Sequence, residues 1–444
     1  MQRSRLDWLR RFGGRPVLIV MAVAVVVLAL AACGGGGSSS TEEGPSAEES
    51  TTASSSGGGE EGGEKAPISI GQVGAYSGAI PGLAGQGYGL EAWVKTVNEK
   101  GGVDGHEIEL HKGDSKGEPT TEVSQVTQIA TNDHAVAFAG MGTTSVAGFA
   151  QFLESKGIPT IGGNTNDFSW ETNAGFYNPG TGFIGTLLAG YFSHPEGKDK
   201  MGLVYCKESP GCTAVYDLYK MGFPEIYGGK GVYAAEVSLS APSFTAQCLA
   251  AKQAGVETLA IAMDAANIIR MAKDCAKQGY HPAYALAGTN ANNEIAETGL
   301  FEGAIAGQSQ APWFLEEGPI AEETAAMEKF FPEVPNESQT VSGWAAGVAL
   351  GKAIENAIEA NPELEEISSE DILEGLGMIK DETFEGLTPP VTFTSEGVQE
   401  DTKCAFPIVV KNKEWVQEET EPVCPPASAE PILEEALEKV GTSE

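Results

Sequence analysis

The chain has 444 residues, 41% of them hydrophobic and 8% aromatic, which allows two or three domains with sizeable cores. Its 62 acidic and 27 basic side chains leave a formal net charge of −35, which repels phosphate backbones and anionic lipid alike and argues against nucleic acid as a partner. Seven cysteines are few for a small disulfide scaffold, and the odd count leaves one with a separate task.

The N-terminus supplies that task. Arg3, Arg5, Arg10, Arg11 and Arg15 precede an apolar run from Val17 to Leu30, too short for an ordinary membrane span and followed by small residues, as in a signal peptide over residues 1–32. The tetrapeptide Leu30-Ala31-Ala32-Cys33 resembles the bacterial lipobox, which implies lipidation of Cys33 and anchoring on the extracytoplasmic face of the cell membrane. The alternative is a plain transmembrane anchor. Residues 33–66 then read as a flexible leash, because Gly, Ser, Thr and Glu offer nothing large enough to bury.

Globular sequence begins at Pro67-Ile68-Ser69-Ile70-Gly71, a first strand. Helix Gly85–Lys100, strand Glu107–His111, helix Thr120–Asn132, strand Val136–Gly140, helix Val146–Lys156 and strand Ile158–Gly162 follow. A second run of the same kind comprises strand Met201–Tyr205, helix Val215–Gly222, strand Gly231–Val237, helix Ser243–Ala254, strand Thr258–Ala262, helix Ala266–Gly279 and strand Ala283–Ala287. Alternation of this kind predicts βαβ units and two α/β lobes with parallel sheets. Helices near Ala321–Phe331 and Gly343–Ala360 and a hairpin-like segment near Val391–Val410 complete the pattern.

Ile70-Gly71-Gln72-Val73-Gly74-Ala75-Tyr76-Ser77-Gly78 reads as a strand ending in a Ser-Gly turn, and it resembles the opening of the type I periplasmic solute-binding proteins of ABC importers, the family that includes the branched-chain amino-acid-binding proteins. Asn98-Glu99-Lys100-Gly101-Gly102-Val103-Asp104-Gly105 matches its Asn-x-x-Gly-Gly-(Ile/Val)-x-Gly signature, and Asp114 its usual Asp. Later landmarks are Gly157-Ile158-Pro159, Ala254-Gly255-Val256, Gly279-Tyr280 and Phe384-Glu385-Gly386, so the likeness spans about residues 67–415.

The resemblance implies two Rossmann-like lobes joined by a three-crossover hinge, with lobe 1 from residues 67–180 and 310–388, lobe 2 from 181–309 and 389–420, and a C-terminal tail over 421–444. It also implies a monomer without cofactor that carries a small-molecule ligand to ABC permease and ATPase subunits. The alternative is a lipoprotein of the same fold that senses a ligand and signals through a partner protein.

Ligands in such sheets bind beyond the carboxyl ends of the strands. The loop Gly140-Met141-Gly142-Thr143-Thr144-Ser145 therefore offers Thr143, Thr144 and Ser145, hydroxyls and backbone N–H groups at a helix start, for a ligand carboxylate. One of these hydroxyls also suits an N-cap. Asn164 and Asn166 on the next loop, and Tyr76 and Ser77 on the first, are further ligand candidates, although Asn is also a common turn former. In lobe 2 the family's amino-acid binders often carry an acidic group where this chain has Asn290, and a tyrosine where it has Pro210-Gly211. Asp264 would replace the missing charge or cap the helix after it.

No Gly-x-Ser-x-Gly elbow, His-Glu-x-x-His, Cys-x-x-Cys or phosphate loop occurs, so no enzyme is expected. His106, His111, His134, His194 and His281 are scattered and suit surface or packing roles rather than a metal. With Cys33 set aside, sequence order and βαβ geometry favour the disulfides Cys206–Cys212, Cys248–Cys275 and Cys404–Cys424, with free buried thiols as the alternative.

Overall fold

A computed structural model describes residues 65–78, 81–164, 169–208, 210–394 and 402–441. Cys33, the preceding signal segment, most of the Gly/Ser/Glu leash and Asn166 lie outside them. Lobe 1 begins with β1 (Ile68–Gly74), α1 (Ala84–Glu99), β2 (Ile108–Asp114), α2 (Pro119–Asn132), β3 (Ala137–Met141), α3 (Ala147–Lys156), β4 (Thr160–Gly163), α4 (Ser169–Thr172) and β5 (Phe176–Tyr177). The five strands form one parallel sheet in the order β2-β1-β3-β4-β5. Such a sheet is covered on both faces, so its central strands are nearly continuously buried, as the pattern of β1 and β3 is.

After β5 the chain crosses to lobe 2, which runs through α5 (Phe183–Ala189), β6 (Lys200–Cys206), α6 (Pro210–Lys220), α7 (Phe223–Ile226), β7 (Lys230–Val237), α8 (Thr245–Gln253), β8 (Thr258–Ala262), α9 (Ala265–Lys277), β9 (Ala283–Ala287), α10 (Asn293–Glu297) and β10 (Ile305–Gln308). It then returns to lobe 1 for α11 (Ala321–Phe330), α12 (Ser338–Ala360) and α13 (Ser369–Gly377), and ends in lobe 2 with β11 (Phe406–Lys411), β12 (Glu414–Gln417) and α14 (Glu430–Gly441). The second sheet has the order β12-β11-β10-β9-β8-β6-β7, parallel from β7 to β10 and antiparallel at β11 and β12.

Packing explains where the helices lie. One face of the first sheet meets α2 and α3 through Val126, Ile129, Phe149 and Leu153, all 2% exposed or less. The other meets α1 and α12, which cross so closely that a Cβ on Gly89 would stand 1.8 Å from the Thr340 carbonyl oxygen and one on Gly343 would stand 1.9 Å from that of Gln86. In lobe 2, α8 and α9 lie side by side, with Cys248 and Cys275 joined in a disulfide whose Cα atoms are 5.0 Å apart. Cys206 is joined to Cys212 and Cys404 to Cys424.

Three features differ from the sequence reading. The hairpin lies at β11–β12 rather than at residues 391–410, turning at Asn412 and Lys413, both at positive φ. Residues set apart as a tail instead carry α14, whose Leu433 and Ala436 are fully buried in the core beneath β6 and β8. The chain still packs with lobe 1 beyond residue 388, because Phe393 stacks edge-on against Tyr177 and its N–H donates to the Ile379 carbonyl.

Candidate functional site

The topology decides which edges of the sheets face each other. The chain leaves β5 and β10 at their carboxyl ends and passes directly into the crossovers, so the carboxyl edges of both parallel sheets look onto the space between the lobes. The crossovers are stitched together by buried polar groups. Thr181 N–H donates to the Ser309 carbonyl at 3.2 Å, and Ser309 Oγ donates back to the Thr181 carbonyl at 3.0 Å. Gln310 Nε2 donates to the Pro179 carbonyl at 3.0 Å and its Oε1 accepts from Ser342 Oγ at 2.8 Å. Gly182 N–H reaches the Thr402 carbonyl, which ties the third strand of the hinge to the first. Buried polar groups need such partners, and here each supplies the other's.

On lobe 1 the loop after β1 is organised by Asp114, at the end of β2. Its Oδ1 accepts from the N–H groups of Tyr76, Ser77 and Lys116 at 3.1, 3.2 and 3.0 Å, and its Oδ2 accepts from Ser77 Oγ at 2.6 Å. Those bonds, the Ser77 hydroxyl first, hold the Asp114 carboxyl below the usual carboxylate range. Tyr76 turns its hydroxyl inward to donate to Gln72 Oε1 at 2.6 Å, and burial raises its pKa, with the nearby charge of Glu91 adding to the effect.

The loop after β3 holds a carboxylate, and it is the protein's own. Glu122, on the first turn of α2 and with no exposed surface, receives the Thr144 N–H at 2.7 Å and the Thr144 hydroxyl at 2.9 Å on the same Oε1. Thr143 lies beneath, 1% exposed, with its hydroxyl buried and unpartnered, while its carbonyl accepts from Asn164 Nδ2 at 3.3 Å. Ser145 Oγ accepts from Ala147 N–H at 3.3 Å. The structure thus brings Thr143, Thr144, Ser145 and Asn164 together at the edge of one sheet, with Tyr76 and Ser77 on the loop after the neighbouring strand β1.

On lobe 2, Asp264 is exposed and caps α9, its Oδ1 accepting from the Asn267 N–H at 3.1 Å and its Oδ2 from Asn267 Nδ2 at 2.6 Å. Asn290, after β9, donates from Nδ2 to the Met263 carbonyl at 2.9 Å, which braces two adjacent strand ends. It also meets the phenol of buried Tyr191, whose pKa burial pushes upward. The lobes touch where Glu337, at the start of α12, accepts the Asn293 N–H of α10 at 3.5 Å. Among the described residues no group of three or more His, Cys, Asp or Glu side chains is placed to hold a metal ion.

Glu122, Gln72 and Tyr191 escaped the sequence reading. Glu122 looks like an acid favoured in the first turn of a helix, and only the packing of α2 under the neighbouring loop gives it a second role.

A family model described as periplasmic binding protein matches residues 67–413. No curated protein matches the chain. Solved structures share its fold at low identity. The branched-chain amino acid ABC transporter protein of Thermus thermophilus with bound valine is 17% identical, with a TM-score of 0.69, covering 85% of this chain and 99% of that one. A fatty acid ABC transporter substrate-binding protein from Thermomonospora curvata is 19% identical with a TM-score of 0.63 over 80% and 92%. A solute-binding protein from R. palustris in complex with benzoate is 15% identical with a TM-score of 0.62 over 81% and 98%. The chain belongs to the periplasmic binding protein family, whose members are extracytoplasmic substrate-binding proteins and not enzymes.

Proposed function

We propose that this protein captures a small polar solute, an amino acid, amide or carboxylate, between its two lobes and delivers it to an ABC permease. The observation that carries the reading is the pair of carboxyl sheet edges, each bearing polar loops, held face to face by hydrogen-bonded crossovers. Tyr76, Ser77, Thr143, Thr144, Ser145, Asn164 and Asn166 would meet the solute from lobe 1, and Asp264 and Asn290 from lobe 2. A thermal-shift screen of amino acids, amides and carboxylates tests this. A solute at 100 times its dissociation constant stabilises the folded state by about 2.7 kcal/mol, and a screen in which no small solute raises the melting temperature counts against capture.

Lipidation of Cys33 would place the protein on the membrane while residues 33–66 let the lobes reach the permease. Several acyl chains make such a tether durable where one would not. Cys33→Ser should move the expressed protein from the membrane fraction to the soluble extracytoplasmic fraction. A Cys33→Ser protein that stays with the membrane would show that the anchor is the apolar segment itself.

A further inference from the structure

Several of the donors that line lobe 1 are already engaged by the protein's own acids, while the buried Thr143 hydroxyl is not. Glu122 takes the N–H and hydroxyl of Thr144, and Asp114 takes the N–H of Tyr76 and both the N–H and hydroxyl of Ser77. Asp114 is half-buried and Glu122 is fully buried. Resting on the solute-capture reading above, we infer that Glu122 stands in for a ligand carboxylate at the Thr143–Ser145 loop, so that the cleft selects neutral or cationic solutes, amides and amines, over the corresponding free acids.

The physical argument is one of occupancy and charge. A carboxylate is worth burying only where hydrogen bonds or a cation replace its lost water, and at this loop the Thr144 donors are spent on Glu122. A second carboxylate arriving there would lack those donors and would crowd the Glu122 carboxyl already bonded to Thr144, in a chain whose net charge is already −35. An amide or amine carries no such penalty and brings donors of its own, for which the backbone carbonyls of the loops are acceptors.

The test uses matched pairs on the whole protein by titration calorimetry: valine with valinamide, benzoate with benzamide, and acetate with acetamide. The inference expects the amide of a binding pair to bind at least tenfold more tightly than its acid. Glu122→Gln keeps the shape and removes the charge, and should narrow that gap by tenfold or more while circular dichroism shows an intact fold. If this variant does not fold, the comparison on the unaltered protein still decides. An acid that binds as tightly as its amide, or a gap that Glu122→Gln leaves unchanged in a folded protein, overturns the inference and leaves solute capture standing. Binding by none of the six overturns the ligand class. Failure of the wider screen as well removes the capture reading beneath it.

Discussion

Glu323 sits on α11 with no exposed surface, and burial pushes its carboxyl from 4.5 up to about 7, although bonds from Asn336, Thr340 and Thr324 oppose the change. Asn336 Nδ2 donates to its Oε2 at 2.8 Å, while its Oε1 is buried without a partner. A carboxyl whose pKa is higher in the folded than in the unfolded state binds more protons when folded. Its contribution is therefore full below the unfolded value of 4.5 and is lost as the pH rises through about 7. The loss amounts to up to about 3 kcal/mol, since each tenfold change in proton affinity is worth roughly 1.4 kcal/mol. Glu323→Gln should abolish this slope, so urea unfolding at pH 5 and pH 8 is expected to show the variant gaining on the unaltered protein at the higher pH. Equal gaps at the two pH values would show that the carboxyl is solvated. Asp114 and Asp274 act in the opposite sense, since their carboxyls are lowered and lose their contribution only on acidification, and they cancel in the comparison.

At the scale of elements, α8 and α9 show how far spacing alone can be read. Consecutive right-handed crossovers around β8 put both helices on one face of the second sheet, and Cys248 and Cys275 meet there with no exposed surface. In the chain-entropy model, closing a loop of 27 residues contributes about 3–4 kcal/mol. Peptide mapping without reduction should recover Cys248 linked to Cys275, and replacing both by Ala should lower the stability by about that amount. Recovery of Cys248 as a free thiol or with another partner would contradict the helix adjacency. Other elements were less legible for identifiable reasons. Helix α5 is buried on every side, so it lacks the amphipathic period that marks a surface helix. The β11–β12 turn uses Asn412-Lys413, which lacks the glycine of the stronger hairpin signals.

For the molecule as a whole, the described crossover segments are braced by buried side chains that bond one another. On the proposed capture reading, hinge closure about this hydrogen-bonded neck would move the lobes as bodies and bring the loops near Thr144 and Asn290 onto the same solute. A bound solute that contacts both lobes shifts the population to the closed form. Small-angle scattering should then give a smaller radius of gyration with the solute than without it, and amide exchange should slow at both loops. A tight ligand that changes neither would exclude closure.

The sequence by itself determined the alternation of strands and helices, the family likeness and the candidate loops, because each depends on local periodicity or on a short motif at a strand end. It also carried the cysteine order from which the pairing is argued. Only the tertiary structure decided that Asp114 and Glu122 occupy the Tyr76, Ser77 and Thr144 donors of those loops, that α14 seals the core of lobe 2, and that Phe393 belongs to lobe 1. These depend on contacts between distant segments. A hydroxyl at a strand end looks the same in sequence whether a solute or a buried glutamate accepts its proton.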